Sequence, residues 1–123
     1  MIDHISFGVH DLDRATAFYT RVLGTIGYRL HRQLATEVAF GTGDDWTFFL
    51  YPADGTVAGA RMHLAFRAGS RAAVHDFYAT ALALGATALP DRHPAERPQF
   101  GADYFGAVLQ DPDGHTVEVL TRA

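Results

Sequence analysis

The sequence predicts an α+β protein made of two copies of a strand–helix–strand–strand–strand unit. These should form a curved mixed sheet with helices on the outside and a cleft inside. Three observations carry this reading. Met62-His63-Leu64-Ala65-Phe66 repeats the opening Asp3-His4-Ile5-Ser6-Phe7. A single offset of 59 residues aligns His4 with His63, Phe7 with Phe66, Phe18 with Phe77, Tyr19 with Tyr78, Leu23 with Leu82 and Leu30 with Leu89. Further on the offset is 69, setting Thr47-Phe48-Phe49-Leu50 on Thr116-Val117-Glu118-Val119, so an insertion of about ten residues lies between Leu89 and Asp111. Two copies that bury one another make a single domain over 1–123, with module one at 1–52, a linker at 53–60 and module two at 61–123.

Each element has its own signal. From Ile2 to Val9 the residues alternate, with Ile5, Phe7 and Val9 on one face and His4, Ser6 and Gly8 on the other, which predicts a strand. Asp11 or Asp13 caps a helix whose Ala15, Phe18, Tyr19, Val22 and Leu23 recur at helical spacing, and Gly24 and Gly27 close it. Strands are expected at Tyr28 to Gln33, Thr36 to Phe40 and Trp46 to Tyr51, with a turn over Gly41 to Asp45. The second copy runs from a strand at Met62 to Arg67 through a helix capped by Ser70, with Val74, Phe77, Tyr78, Ala81 and Leu82 on its apolar face and Gly85 at its end. A strand near Ala86 to Leu89 precedes the insertion, where Pro90, Pro94 and Pro98 exclude regular structure over most of the length. Tyr104 to Gln110 and His115 to Thr121 form a hairpin across Asp111-Pro112-Asp113-Gly114.

Composition narrows the function. The 123 residues suffice for one core without staples. Fourteen acids face ten arginines with no lysine, for a net charge of −4, so no basic stripe for nucleic acid exists and no nucleic-acid partner is expected. Without cysteine there is no disulfide, thiolate nucleophile or zinc finger. No apolar run is long enough to span a membrane and no signal-peptide pattern opens the sequence, so a cytoplasmic location without membrane partners is expected.

Strand alternation places His4, His63 and Glu118 on the face away from the helices. Two imidazoles and a carboxylate with open positions suit Fe(II) for oxygen chemistry, or Mn or Zn as a Lewis acid. A lone strand histidine is ordinarily a satisfied polar residue, but histidine at one place in both copies is hard to assign to packing. A charge at Glu118 between two valines is costly without a partner. Tyr104 is a hydrogen-bond donor or acid over the metal, with an edge aromatic as the bland alternative. Arg92 and Arg97 lie in the insertion, where a lid orienting an anionic substrate would sit, and Trp46, Phe49 and Tyr51 are candidates for an aromatic pocket wall. His115 falls on the helix side of its strand and is expected to be structural or exposed.

With these residues the chain resembles the vicinal oxygen chelate superfamily, nearest its small glyoxalase/bleomycin resistance/dioxygenase branch. The resemblance covers the whole chain. Its most specific parts are Ile2-Asp3-His4-Ile5-Ser6 with Ala17-Phe18-Tyr19, Met62 to Phe66, and Asp111-Pro112-Asp113-Gly114-His115-Thr116-Val117-Glu118. It implies paired βαβββ modules of glyoxalase-like fold, with His4, Phe49, His63 and Glu118 at the four ligand positions. Phenylalanine cannot bind a metal, which counts against glyoxalase I and epimerase activity and leaves a 2-His-1-Glu triad, as in relatives with three ligands. The resemblance implies one divalent ion per site, Fe(II) favoured with Mn, Zn or Ni possible, and a small substrate with vicinal oxygens. Dioxygenase chemistry ranks first; a metal-dependent lyase or isomerase, or a fosfomycin-resistance-like transferase, ranks next. A non-catalytic drug- or metabolite-binding protein is the rival from another class. A homodimer is implied, His4 of one chain joining His63 and Glu118 of the other.

Overall fold

The computed structural model describes residues 1–123. It divides into two compact units, Met1–Val57 and Ala58–Ala123. The first unit runs β1 (Ile5–Val9), α1 (Leu12–Gly24), β2 (Arg29–Leu34), β3 (Glu37–Gly41) and β4 (Phe48–Pro52). Its four-stranded sheet has the order β1-β4-β3-β2, parallel between β1 and β4 and antiparallel elsewhere. In the second unit come β5 (His63–Arg67), α2 (Arg71–Ala83), β6 (Thr87–Ala88), β7 (Ala95–Glu96), a 3₁₀ turn at Pro98–Phe100, β8 (Phe105–Gln110) and β9 (Thr116–Thr121). Its order is β5-β9-β8-β6, with β7 also on β8, and only β5–β9 is parallel. The fold is thus α+β, with two mixed sheets and one long helix to each.

The helices form where the caps and spacing require. Asp11 accepts from the backbone N–H of Arg14 and Ser70 from that of Ala73, satisfying donors that the first turn leaves open. The two helices lie 59 residues apart at both ends. Each ends with a left-handed glycine, Gly27 or Gly85, followed by an N–H that returns to a carbonyl five residues back, Tyr28 to Leu23 and Ala86 to Ala81. The face of α1 carrying Ala15, Phe18, Tyr19, Val22 and Leu23 is buried, and Tyr19 meets Phe48 edge-on at 5.0 Å. In α2 only Val74, Phe77 and Ala81 of the five expected positions are fully buried; it packs on β8 and β9.

Two details differ from the sequence reading. Within the insertion, which is irregular over most of its length as expected, Ala95 and Glu96 nevertheless pair with Gly106 and Phe105, in the gap between Pro94 and Pro98 where backbone N–H groups are available. The strand expected at Ala86 to Leu89 is limited to Thr87 and Ala88. A bulge also interrupts β2 between Leu30 and Arg32 and turns His31 out of the ladder toward Trp46. No helix is long and apolar enough to cross a membrane.

Candidate functional site

The strand registers decide which side chains share a surface. In the second unit Ala65 pairs with Glu118 and Val108 with Glu118, so His63, Glu118, Val108, Gly106 and Tyr104 fall on the sheet face opposite α2. His63 Nε2 lies 2.7 Å from Glu118 Oε1. The other carboxylate oxygen, Oε2, accepts a hydrogen bond from the Tyr104 hydroxyl. The imidazole is 44% exposed and the carboxylate 11%, so the pair sits at the floor of an opening rather than inside the core.

Burial, then the hydrogen bond to Glu118, pushes the Tyr104 phenol up to about 12. Arg122 stacks over the same ring at 4.9 Å and Phe100 touches it at 5.4 Å. His63, Tyr104, Gly106, Val108 and Glu118 line a cleft of about 220 Å³ with Arg92, Arg97 and Phe100. Sequence reasoning missed Gly106. A Cβ there would stand 3.1 Å from the Val119 carbonyl and 3.2 Å from Glu118 Oε2, so glycine gives the carboxylate its room. The signal was a glycine in mid-strand, two residues after Tyr104 on the same face.

The donor chemistry fits a divalent ion. Two donors held about 2.1 Å from one ion in neighbouring octahedral positions are about 3.0 Å apart, so His63 and Glu118 need spread by only about 0.3 Å to take one. Tyr104 then stands behind the carboxylate as an orienting partner.

The remaining candidates occupy other places. His4, in the first unit, is half-exposed, bonded to Asp3 at 2.7 Å and set edge-on to Phe49 at 5.1 Å. Phe49 also stacks parallel to Tyr51, whose hydroxyl donates to Glu37; that hydrogen bond raises the phenol's pKa above its usual value. Trp46 stacks on His31, under the Arg32 guanidinium. Arg97 donates to the carbonyls of Asp91 and His93 and so staples the insertion, and both it and Arg92 line the cleft.

A second group of ligand-competent atoms belongs to Asp111, Asp113 and His115, which lie within 4.8 Å of one another. His115, expected to be structural or exposed, is buried, and its Nδ1 meets Asp111 Oδ2 at 2.7 Å. Asp111 Oδ1 accepts from the backbone N–H groups of Asp113 and His115, so this carboxylate organises the β8–β9 turn.

Two sheets with the same registers, each backed by a helix, and a histidine–carboxylate pair on one open face define a duplicated α+β protein with a candidate metal-chelating cleft. The chain belongs to the Glyoxalase/Bleomycin resistance protein/Dioxygenase superfamily, whose family profile matches residues 1–119. No curated protein matches it. Among solved structures it is similar to a glyoxalase/bleomycin resistance protein from Albidiferax ferrireducens T118, at TM-score 0.86 and 24% identity over 97% of both chains. It also resembles the fosfomycin resistance protein FosX of Listeria monocytogenes, at TM-score 0.72 and 24% identity over 98% of this chain and 92% of that one. For lactoylglutathione lyase from Agrobacterium tumefaciens the values are 0.67 and 25%, over 98% and 92%. The superfamily includes metal-dependent enzymes acting on small molecules.

Proposed function

We propose that the chain is a metal-dependent enzyme of this superfamily, with His63 and Glu118 holding one divalent ion and His4 completing the triad. The ion favoured by two imidazoles and one carboxylate is Fe(II), with Mn, Zn or Ni as alternatives. When bound it supplies a Lewis acid for two neighbouring oxygens of a small substrate. Dioxygenase-type chemistry is the first reading; metal-assisted lyase or isomerase chemistry, or fosfomycin-resistance-like transfer, is second, following what the similar structures are named for. In a homodimer, His4 of one subunit would join His63 and Glu118 of its partner.

The observation that supports this most is the 2.7 Å contact between His63 and Glu118 at the floor of an open cleft. Glu118 contributes the anionic donor, and Tyr104 holds its far oxygen so that Oε1 keeps facing His63. Burial and the hydrogen bond to Glu118 raise the Tyr104 pKa, so the phenol keeps its proton and donates it to the carboxylate. Phe100 and Val108 line the cleft with apolar surface, which strengthens the charge interactions within it.

Metal content measured on protein purified without chelator under argon tests the reading. Near one ion per chain is expected, lost in His63→Ala and Glu118→Ala and retained in Asp113→Ala. An apoprotein that takes up no ion on reconstitution sinks the enzymatic reading. The His63–Glu118 contact would then be a closed ion pair in the cleft of a small-molecule binder.

A further inference from the structure

We propose that the second unit carries an anion subsite, formed by Arg61 and Arg92, which takes a carboxylate or phosphate group at the far end of the substrate. The proposal rests on the metal reading for the chelating end alone. A second cleft of about 430 Å³, walled by Arg61, Met62, His63, Leu89, Arg92, Val108 and Thr116, shares His63, Arg92 and Val108 with the first. One small molecule can therefore present one end to His63 and Glu118 and the other to the arginines.

Charge and backbone single out this wall, and pairing leaves its two arginines available. The chain has a net charge of −4, yet this wall carries two guanidiniums and no carboxylate. Arg32 and Arg71 are each paired with a glutamate, and Arg29, Arg97 and Arg122 donate to carbonyls. Arg61 and Arg92 have no side-chain partner, so their forks are free to grip an oxyanion by two parallel hydrogen bonds.

The chain has two non-glycine residues with positive φ: Arg61 itself, at 67°, and Asp91, at 58°, immediately before Arg92. Arg61 thus sits on backbone that side chains rarely adopt, a form of strain concentrated at functional sites, and Arg92 directly follows the other such residue. The strained bend at Asp91 is held by Arg97 on its carbonyl and by Val108, whose N–H donates to the Arg92 carbonyl at 2.9 Å. These bonds root Arg92 beside the strand that faces Glu118.

The test uses a matched pair of ligands with the same two neighbouring oxygens, 3,4-dihydroxybenzoate and neutral 4-methylcatechol, titrated calorimetrically into the Mn(II)-loaded protein. The acid should bind about tenfold tighter, the worth of one good charge-assisted pair. In the Arg61→Gln/Arg92→Gln double variant that preference should fall to about twofold or less, with 4-methylcatechol unchanged. Equal binding by the wild type, or a preference that survives the double substitution, overturns the subsite. Both side chains are exposed, so the substitutions leave the core intact.

Thermal stabilisation of metal-free protein by inorganic phosphate and by benzoate separates the two readings and the two anion sources. Stabilisation that the double variant loses keeps the subsite even if no metal binds, and the stronger anion names the source. Metal uptake in protein that neither anion stabilises, and that shows no preference for the acid, leaves the metal reading standing and removes the subsite.

Discussion

Tyr104→Phe isolates one hydroxyl in the proposed centre. The ring keeps its contacts with Phe100 and with the Arg122 guanidinium, so packing is conserved while Glu118 Oε2 loses its donor. A hydrogen bond to a charged group contributes about 1.5–3 kcal/mol net, and at least the lower end applies here because the bond is buried. For a domain of this size that lowers Tm by about 6 °C. The larger effect falls on metal affinity. A carboxylate freed to rotate no longer presents Oε1 beside His63, and loss of an orienting partner of this kind weakens binding by about 10–100-fold. Urea unfolding of the metal-free variant gives the first quantity, and competition against a chromophoric chelator gives the second. A variant that loses the stability yet binds the ion as tightly as the wild type would refute the orienting role and leave Tyr104 a packing residue.

Tyr104 also sets a pH window. Its folded pKa, about 12, lies above the unfolded value of 10.0, so the folded state keeps a proton that the unfolded state releases. The stabilisation is complete below pH 10 and is lost as pH rises toward 12. Stability against pH in wild type and Tyr104→Phe should converge there, and ultraviolet titration should show a late-ionising tyrosine that Tyr104→Phe lacks. At Gly41 an added Cβ would lie 1.6 Å from the Asp45 carbonyl, so Gly41→Ala must rebuild the turn before β4 and should cost more than about 3 kcal/mol. By contrast, nothing stands within 4 Å at Gly24 in α1, and Gly24→Ala should stabilise by about 0.5–1 kcal/mol; denaturant midpoints compare the two.

Much of the fold was legible because its signals are local and doubled. The helices carry caps, apolar spacing and terminal glycines that any fold would read alike, and the 59-residue offset recurs at both helix ends. The 69-residue offset reappears in the registers, Ser6 with Phe49 and Ala65 with Glu118. What alternation could place was the face of each ligand candidate. It could not show that Arg97 turns back onto the carbonyls of its own loop, since the chain from Arg92 to Arg97 has no period. Nor could it show that Tyr104 meets Glu118, because that pairing depends on how β8 and β9 align across the five residues that connect them. His31 was unreadable for a third reason: a bulge shifts the alternation by one residue and leaves no mark in composition.

The equivalence of the two registers yields a further experiment on the first unit. Phe49 stands against Ser6 as Glu118 stands against Ala65, and each lies diagonal to the histidine that opens its unit. In the second unit that diagonal is an imidazole on a carboxylate at 2.7 Å; in the first it is an imidazole on a phenyl edge at 5.1 Å. The duplicated backbone thus offers two places for a ligand pair, and one side chain decides whether each is polar. Phe49→Glu should restore the missing donor. The phenyl ring is only part-buried, so its loss costs about 1–2 kcal/mol of apolar burial, less than a domain's stability of about 5–15 kcal/mol. If His4 serves the same ion as His63 and Glu118, the new carboxylate is a fourth donor to an ion already bound. Affinity should then rise by about tenfold or more while the count stays at one ion per chain. A count rising to two in Phe49→Glu, with the first ion bound as before, would refute the shared triad and make each unit a separate site.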